Sequence, residues 1–417
     1  MRAMAKNPIR LFRSAMSIAL TLCATPVLSQ NAAASGASTP ASPVTPYADI
    51  RYRLELVDQD GLPRNATAST LRIRAGLKTQ DWHGLSAVVE GEAILTVGAE
   101  RFNDTVNGKI GFPVVADPED VLLNQAFVRW KPDSRVELTG GRQAVNLDNQ
   151  RWIGSVAWRQ NDQTFDSVKA SAKPVANLSL DYLYIGRVNR VFGPDSPQGT
   201  WRNTEIHGAR AGYPIKPLGT VSGYAYWLDI PSAPLQSSRT FGVRLVGEQP
   251  FANKTKLTYA LEYARQSDNG VNPLDFRHEY WLIEPGIAFG PTTLKLGYEH
   301  LDGDGRSALQ TPLATLHAFN GWADKFLTTP PNGLRDIYVD LGHRLAKKGP
   351  LNGTAFRLLY HDFRSTRLGI DYGSEWDALV TVPIRKNITF LAKLARYKAD
   401  RFATDTTKAW FSMEARF

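Results

Sequence analysis

The sequence predicts an all-β fold, a transmembrane antiparallel β-barrel of about eighteen strands with short periplasmic turns and long extracellular loops. Three observations predict it. Apolar residues recur with period two from Tyr47 onward, connections alternate between long and short, and the chain ends on an alternating strand whose last residue is Phe417.

The N-terminus comes first. Arg2, Lys6, Arg10 and Arg13 form a basic region without acids, and an apolar run follows from Ala15 to Leu28. That run suits a signal-peptide core and is shorter than the roughly 18 residues of a membrane helix. Residues 1–29 therefore read as a Sec-type signal peptide, with Val27 and Ser29 small enough for cleavage after Ser29. Leu22 stands where a lipoprotein signal before Cys23 needs a small residue. Cys23 is the only cysteine in the 417 residues, so cleavage would leave a chain with neither disulfides nor thiolate chemistry. The same cleavage removes four basic residues and lowers the formal net charge from +9 to +5, too mild a balance to argue for nucleic acid. Residues 30–46 (QNAAASGASTPASPVTP) are small, Pro-rich and uncharged, which reads as a flexible periplasmic lead-in.

Residues 47–417 carry the barrel pattern. In YADIRYRLELV, Asp49, Arg51, Arg53 and Glu55 alternate with Ala48, Ile50, Tyr52, Leu54 and Leu56. LRIRAGLK sets Arg72, Arg74 and Lys78 against Leu71, Ile73, Ala75 and Leu77, and LSAVVEGEAIL continues with Glu90 and Glu92. Such segments have the length a tilted strand needs to cross a bilayer, about 9 to 11 residues. Long connections at 58–67, 97–119, 144–163, 188–203 and 303–333 alternate with tight ones such as QDWHG, KPDS and KPVAN. A periplasmic N-terminus puts every long connection outside. In the last segment, KAWFSMEARF, Phe411, Met413 and Phe417 alternate with polar neighbours. A terminal Phe in that phase resembles the signal read by the outer-membrane assembly machinery, which makes that machinery an expected partner.

A barrel this wide encloses water or a plug. Inward phase assigns to the pore wall Arg51, Arg53, Arg72, Arg74, Lys78, Arg244, Arg344 and Arg357, with Glu90 and Glu92 among the acids. Two readings fit the basic concentration on the first three strands. An anionic solute could move along it, because Arg grips carboxylates bidentately, or the charges could form cross-strand ion pairs that stiffen the wall.

Two segments exceed generic patterning: GRQAVNLDNQRWIGSVAWRQNDQTFDSV at 141–168 and LQTPLATLHAFNGWADKFLTTPPNGLRDIYV at 309–339. Both are long and rich in Trp, Asn, Gln and Arg, and they resemble signature segments of the alginate export family of outer-membrane proteins. The resemblance implies a monomeric barrel passing solutes across the outer membrane; founding members of that family secrete an anionic uronate polysaccharide through an Arg-rich pore. The wall charges balance in this chain, which widens the expected cargo to oligosaccharides and other small hydrophilic solutes. The first segment becomes a candidate constriction loop, by analogy with general porins, through Arg142, Gln143, Arg151, Trp152, Trp158, Arg159, Gln160, Asn161 and Asp162. Its tryptophans could stack on sugars while the polar groups bind hydroxyls, or the same residues could hold the loop on the wall. The second, with His317, Phe319, Trp322, Asp324 and Phe326, reads as a short helix or cap that packs at the mouth.

An enzyme is the rival class, and a non-conducting adhesin or structural barrel is a third, against which a wide and charged interior argues for water. WIGSVAW lacks the second Gly of GxSxG, and HEYW at His278 does not complete HExxH. No catalytic residue is assigned and no cofactor is expected. Asp302 and Asp304 in LDGDGR offer a weak surface Ca²⁺ candidate that lacks the later ligands of an EF-hand loop. The expected location is the outer membrane of a Gram-negative bacterium, with the lipid bilayer and lipopolysaccharide as surroundings.

Overall fold

The computed structural model of the chain describes residues 43–251, 254–346, 349 and 351–417. The expected signal peptide and nearly all of the lead-in lie outside them. Eighteen antiparallel strands form one closed sheet, each paired with its sequence neighbour and β1 paired with β18. The strands that position the site are β1 (Val44–Gln59), β2 (Ala66–Thr79), β3 (Leu85–Thr96), β4 (Asp120–Trp130), β5 (Val136–Gln143), β6 (Thr164–Ala172), β7 (Ser179–Asn189) and β8 (Thr200–Ile215). After β9 (Gly219–Asp229), β10 (Ser238–Pro250) and β11 (Thr255–Asp268) come β12 (Arg277–Phe289), β13 (Thr292–Leu301) and β14 (Leu334–Arg344). The last four are β15 (Ala355–Arg364), β16 (Asp371–Arg385), β17 (Ile388–Ala399) and β18 (Thr406–Arg416). Closure leaves no sheet edge, which is what a strand protein needs in hydrocarbon.

β1 begins at Val44 rather than Tyr47, because Thr45 and Pro46 already stand opposite Lys78 and Leu77 of β2. The end of the lead-in is thus strand. At the seam, Phe417 and Ala48 exchange backbone hydrogen bonds of 2.8 and 3.1 Å. Phe411, Met413 and Phe417 all point outward and are exposed, as are Ile50 and Tyr52 beside them. The predicted phase of the terminal strand therefore holds to its last residue.

The inner face differs from an ordinary core. Gly76 lies under the Tyr47 ring and Gly297 under Tyr338, where an added Cβ would stand 2.4 and 1.9 Å from ring carbons. Only glycine lets those rings lie flat across the neighbouring strand. The largest apolar cluster sits inside the barrel and joins wall residues such as Tyr224, Tyr280 and Trp410 to Trp152, Leu313, Trp322 and Phe326 of two loops. Those loops carry the site.

Candidate functional site

The β5–β6 loop, residues 144–163, turns into the lumen where β5 stops at Gln143. A tight turn, Gln150 N–H to Leu147 O at 2.8 Å, uses Asp148 and Gln150 in left-handed backbone conformations. The turn aims Arg151 and Trp152 at the far wall. There Trp152 lies among Tyr224, Tyr226 and Tyr280 and donates its indole N–H to Glu262 at 2.8 Å. Arg151 pairs with Glu299 at 3.0 Å and lies over the Phe319 ring.

The loop then recrosses to β1. Arg51 donates to the side chain of Gln160 at 2.8 Å and to the carbonyls of Ala157 and Arg159, while Arg53 donates to the carbonyl of Trp158. Gln160 also bonds Thr70 and accepts nothing from solvent, being fully buried. Asp162 binds Arg74 at 2.7 Å, and Arg74 also holds Glu92 at 2.5 Å. Charged hydrogen bonds of this kind contribute about 1.5–3 kcal/mol each, so the basic strip of β1 and β2 anchors a loop.

The β13–β14 loop, residues 302–333, meets the first one in mid-lumen. Ile153 and Leu313 form a parallel bridge, and Thr315 N–H donates to Gln150 O at 3.0 Å. A single 3-10 turn, Leu316–Ala318, puts His317 flat on Trp158, ring centres 4.6 Å apart. Asn320 binds Glu299 and Asp336, and the backbone N–H groups of Trp322 and Ala323 donate to Asp377 and Glu375. This loop packs inside the barrel rather than capping its mouth.

Asp324 is the hub. It accepts from Arg159 at 3.2 Å, from Lys408 at 2.7 Å and from His317 Nδ1 at 2.7 Å. The other imidazole nitrogen lies 2.6 Å from Lys393 Nζ, which is caged by Trp158 and Trp322. A neutral imidazole protonated on Nδ1 satisfies both partners. Burial pushes His317 down to about 3, with Lys393 adding to the push and Asp324 opposing it. Burial alone would raise Asp324, but His317, Lys408 and Arg159 hold its carboxyl well below the usual range.

Above this layer opens a vestibule of about 420 Å³. Its cations are Arg159, Arg190, Lys325 and Lys408, against the carboxylate of Asp324; Ile110, Phe112, Phe192, Leu316 and Leu327 supply apolar wall. Lys325 makes no hydrogen bond or ion pair among the described residues, and burial together with Lys408 pushes it down to about 8. Arg190 stacks on Trp201 and Phe192 at 4.3 and 4.8 Å, and burial lowers it to about 10. Four cations facing one carboxylate make this chamber attractive to anions.

The predicted residues separate into groups. Arg51, Arg53, Arg72, Arg244, Glu90 and Glu92 face inward as expected and are buried. Arg72 pairs with Asp49, Arg244 with Glu262, and Glu90 takes the amides of Asn124 and Gln125. They do not border an open passage there, because the loop covers β1. Lys78, Arg344 and Arg357 are exposed at the periplasmic end, Arg357 holding Asp340 at 2.9 Å.

Of the loop candidates, Arg159 alone lines the vestibule; Arg151, Trp152, Gln160, Asn161 and Asp162 are buried in packing, and Trp158 is covered by Arg53 and Lys393. Gln143 is the last residue of β5, turned inward to the carbonyls of Thr139 and Ser167. Arg142 corrects the prediction outright. It shares the outward phase of Val136 and Leu138 and binds Asp166 bidentately at 2.7 and 3.0 Å, so it is no part of a constriction. At the acidic turn, Asp304 accepts the N–H groups of Arg306 and Ser307, and Asp302 lies near His278 and His300. Among the described residues no three His, Cys, Asp or Glu side chains group as metal ligands.

Sequence reasoning missed Arg190, Lys325 and Lys408. Lys408 was within reach, since it has the inward phase of β18; Arg190 and Lys325 sit on irregular loops with no period to place them.

Solved structures share this architecture. OccAB4 of Acinetobacter baumannii is 14% identical with a TM-score of 0.71, covering 91% of this chain and 100% of its own. OccK2 (OpdF) of Pseudomonas aeruginosa, solved with glucuronate, is 15% identical with a TM-score of 0.67 over 89% and 98%. OpdK of the same organism, solved with vanillate, is 14% identical with a TM-score of 0.68 over 89% and 98%. No curated protein sequence matches. The fold is thus that of an outer-membrane porin barrel. The family model described as alginate export matches residues 47–316, and the chain belongs to that family.

Proposed function

We propose that the protein is an outer-membrane channel of a Gram-negative bacterium for small organic anions, working as a monomer without a cofactor and without catalysis. The vestibule carries this reading: four cations against one carboxylate, set in an apolar wall, suit a carboxylate with a hydrophobic or sugar body. The similar barrels solved with glucuronate and with vanillate support the same solute class. Anions entering from outside meet Lys325 and Arg190 first and Arg159 and Lys408 at the floor. Folding and insertion draw on the terminal strand, with Phe411, Met413 and Phe417 read by the assembly machinery, and lipopolysaccharide surrounds the outer rim.

A second reading, export of an acidic polysaccharide, draws on the family. Two loops meeting in mid-lumen favour short solutes over a polymer. Single-channel recording in planar bilayers tests both. Anion over cation selectivity in a salt gradient, with block by glucuronate or vanillate added on the extracellular side, is expected. Cation selectivity or absent conductance would defeat the channel reading, and block that strengthens steadily with oligouronate length would favour polymer export.

A further inference from the structure

The outer face of the barrel carries an arginine row that transport does not explain. Arg142 of β5 stands opposite Asp166 of β6, Asp166 opposite Arg187 of β7, and Arg187 opposite Arg202 of β8. The neighbouring register partners, Gln143, Phe165, Val188 and Trp201, are buried on the inner side, so the whole row points outward.

Its level is set by the strands. Arg142 is next to last in β5, Asp166 third in β6, Arg187 two from the end of β7 and Arg202 third in β8, all at the extracellular ends. Below the row, outward Tyr182, Tyr184, Val168 and Leu138 are exposed toward lipid. The row therefore lies where hydrocarbon gives way to headgroups.

Its charge is unbalanced. Asp166 takes Arg142 at 2.7 Å and leaves Arg187 at 3.9 Å, and Arg202 is exposed directly across from Arg187. Like charges directly opposite in a sheet destabilise it unless an anion sits between them. Glu205, the next acid on this face, is 3.7 Å from His207. Behind the row, β4 parts from β5 beyond Ala126, and a recess of about 230 Å³ lined by Arg142, Arg187, Asn189 and Arg190 opens there.

We propose that Arg187 and Arg202, with Arg142 beside them, bind a phosphate of lipid A in the outer-leaflet lipopolysaccharide. Two guanidiniums opposite one another match a phosphate dianion in charge and geometry. The outer leaflet supplies that group at this level.

The test uses the full-length protein in mild detergent, titrated with bisphosphorylated lipid A and with its enzymatically dephosphorylated form, bound lipid being counted by native mass spectrometry. Wild type should bind the phosphorylated form at least about tenfold more tightly, a difference that Arg187→Gln/Arg202→Gln abolishes. Asp166→Asn, which removes the one acid of the row, should tighten it. Inorganic phosphate at millimolar concentration should not displace the lipid. Equal binding of the two lipids by wild type, which needs no variant, would overturn the site; displacement by inorganic phosphate would overturn the lipid assignment. Unchanged single-channel conductance of the double variant shows that the barrel has folded.

Discussion

Arg51 and Arg53 on β1 and Lys325 and Arg190 around the vestibule are all cations inside one barrel, yet they do opposite work. The first pair points into the lumen by strand phase, and its guanidiniums are taken up by loop carbonyls and by Gln160. The second pair sits on loops, without phase, and faces the open chamber. Strand periodicity reports the face a charge occupies; whether that charge is available to a solute depends on what the loops put over it. Wall arginines here hold the loop, and loop cations face the chamber.

The sharpest way to break this division is to remove the anchors. Arg51→Ala/Arg53→Ala strips the hydrogen bonds under residues 157–160 and leaves Glu55 and Asp117 less compensated, and losing one partner of a buried charge pair costs roughly 3–5 kcal/mol. The closed wall of eighteen strands stays intact, so the loss falls on the loop. Single-channel conductance should rise by about threefold, with a noisier open level and weaker selectivity. Conductance equal to wild type, with anion selectivity lost, would mean that these arginines meet the solute directly.

The sequence made one half of this comparison legible and left the other half hidden. Alternation put Arg51, Arg72, Glu92 and Phe411 on their observed faces, because a strand has one period and one buried side. It also delimited the β5–β6 loop at residues 144–163, since the Trp- and Asn-rich run interrupts the period. Arg142 was misplaced because it lies at a strand end, where membership in the loop and in the strand read alike. The inward fold of both long loops follows from contacts such as Ile153 with Leu313, separated by 160 residues in sequence, which no local pattern encodes. The pairing of wall carboxylates with loop N–H groups, Glu375 with Ala323 and Asp377 with Trp322, is non-local in the same way.

The next effect concerns the vestibule. Lys325→Gln removes a cation free of ion pairs among the described residues, and the concentration of glucuronate giving half block should rise by about threefold to tenfold. Its pH dependence has a definite sign. A lysine pushed down to about 8 is charged below that value and loses its charge as pH rises through it. Anion block in wild type should therefore weaken between pH 7 and pH 9, and the Gln variant should lack that step. His317, held near 3, adds nothing to this window because it stays neutral throughout. A step that survives in Lys325→Gln would assign the titration to another group and detach Lys325 from the cargo.

The smallest effect lies at the opposite mouth. Arg357 faces the lumen near the periplasmic rim with 42% of its side chain exposed, and Asp340 holds it through two hydrogen bonds of 2.9 Å. The guanidinium is screened by salt and its charge is largely cancelled by Asp340 beside it, so the field of the pair on a passing ion is weak. Arg357→Gln should change the anion-to-cation permeability ratio by less than about twofold, since the charge that is lost sits at a salt-screened mouth. Asp340→Asn should shift the ratio by a similar amount in the other direction. If Arg357→Gln instead matched Lys325→Gln in its effect, selectivity would be set along the whole passage, and the distinction between anchored wall charge and available loop charge would fail at a wall cation that its partner already holds.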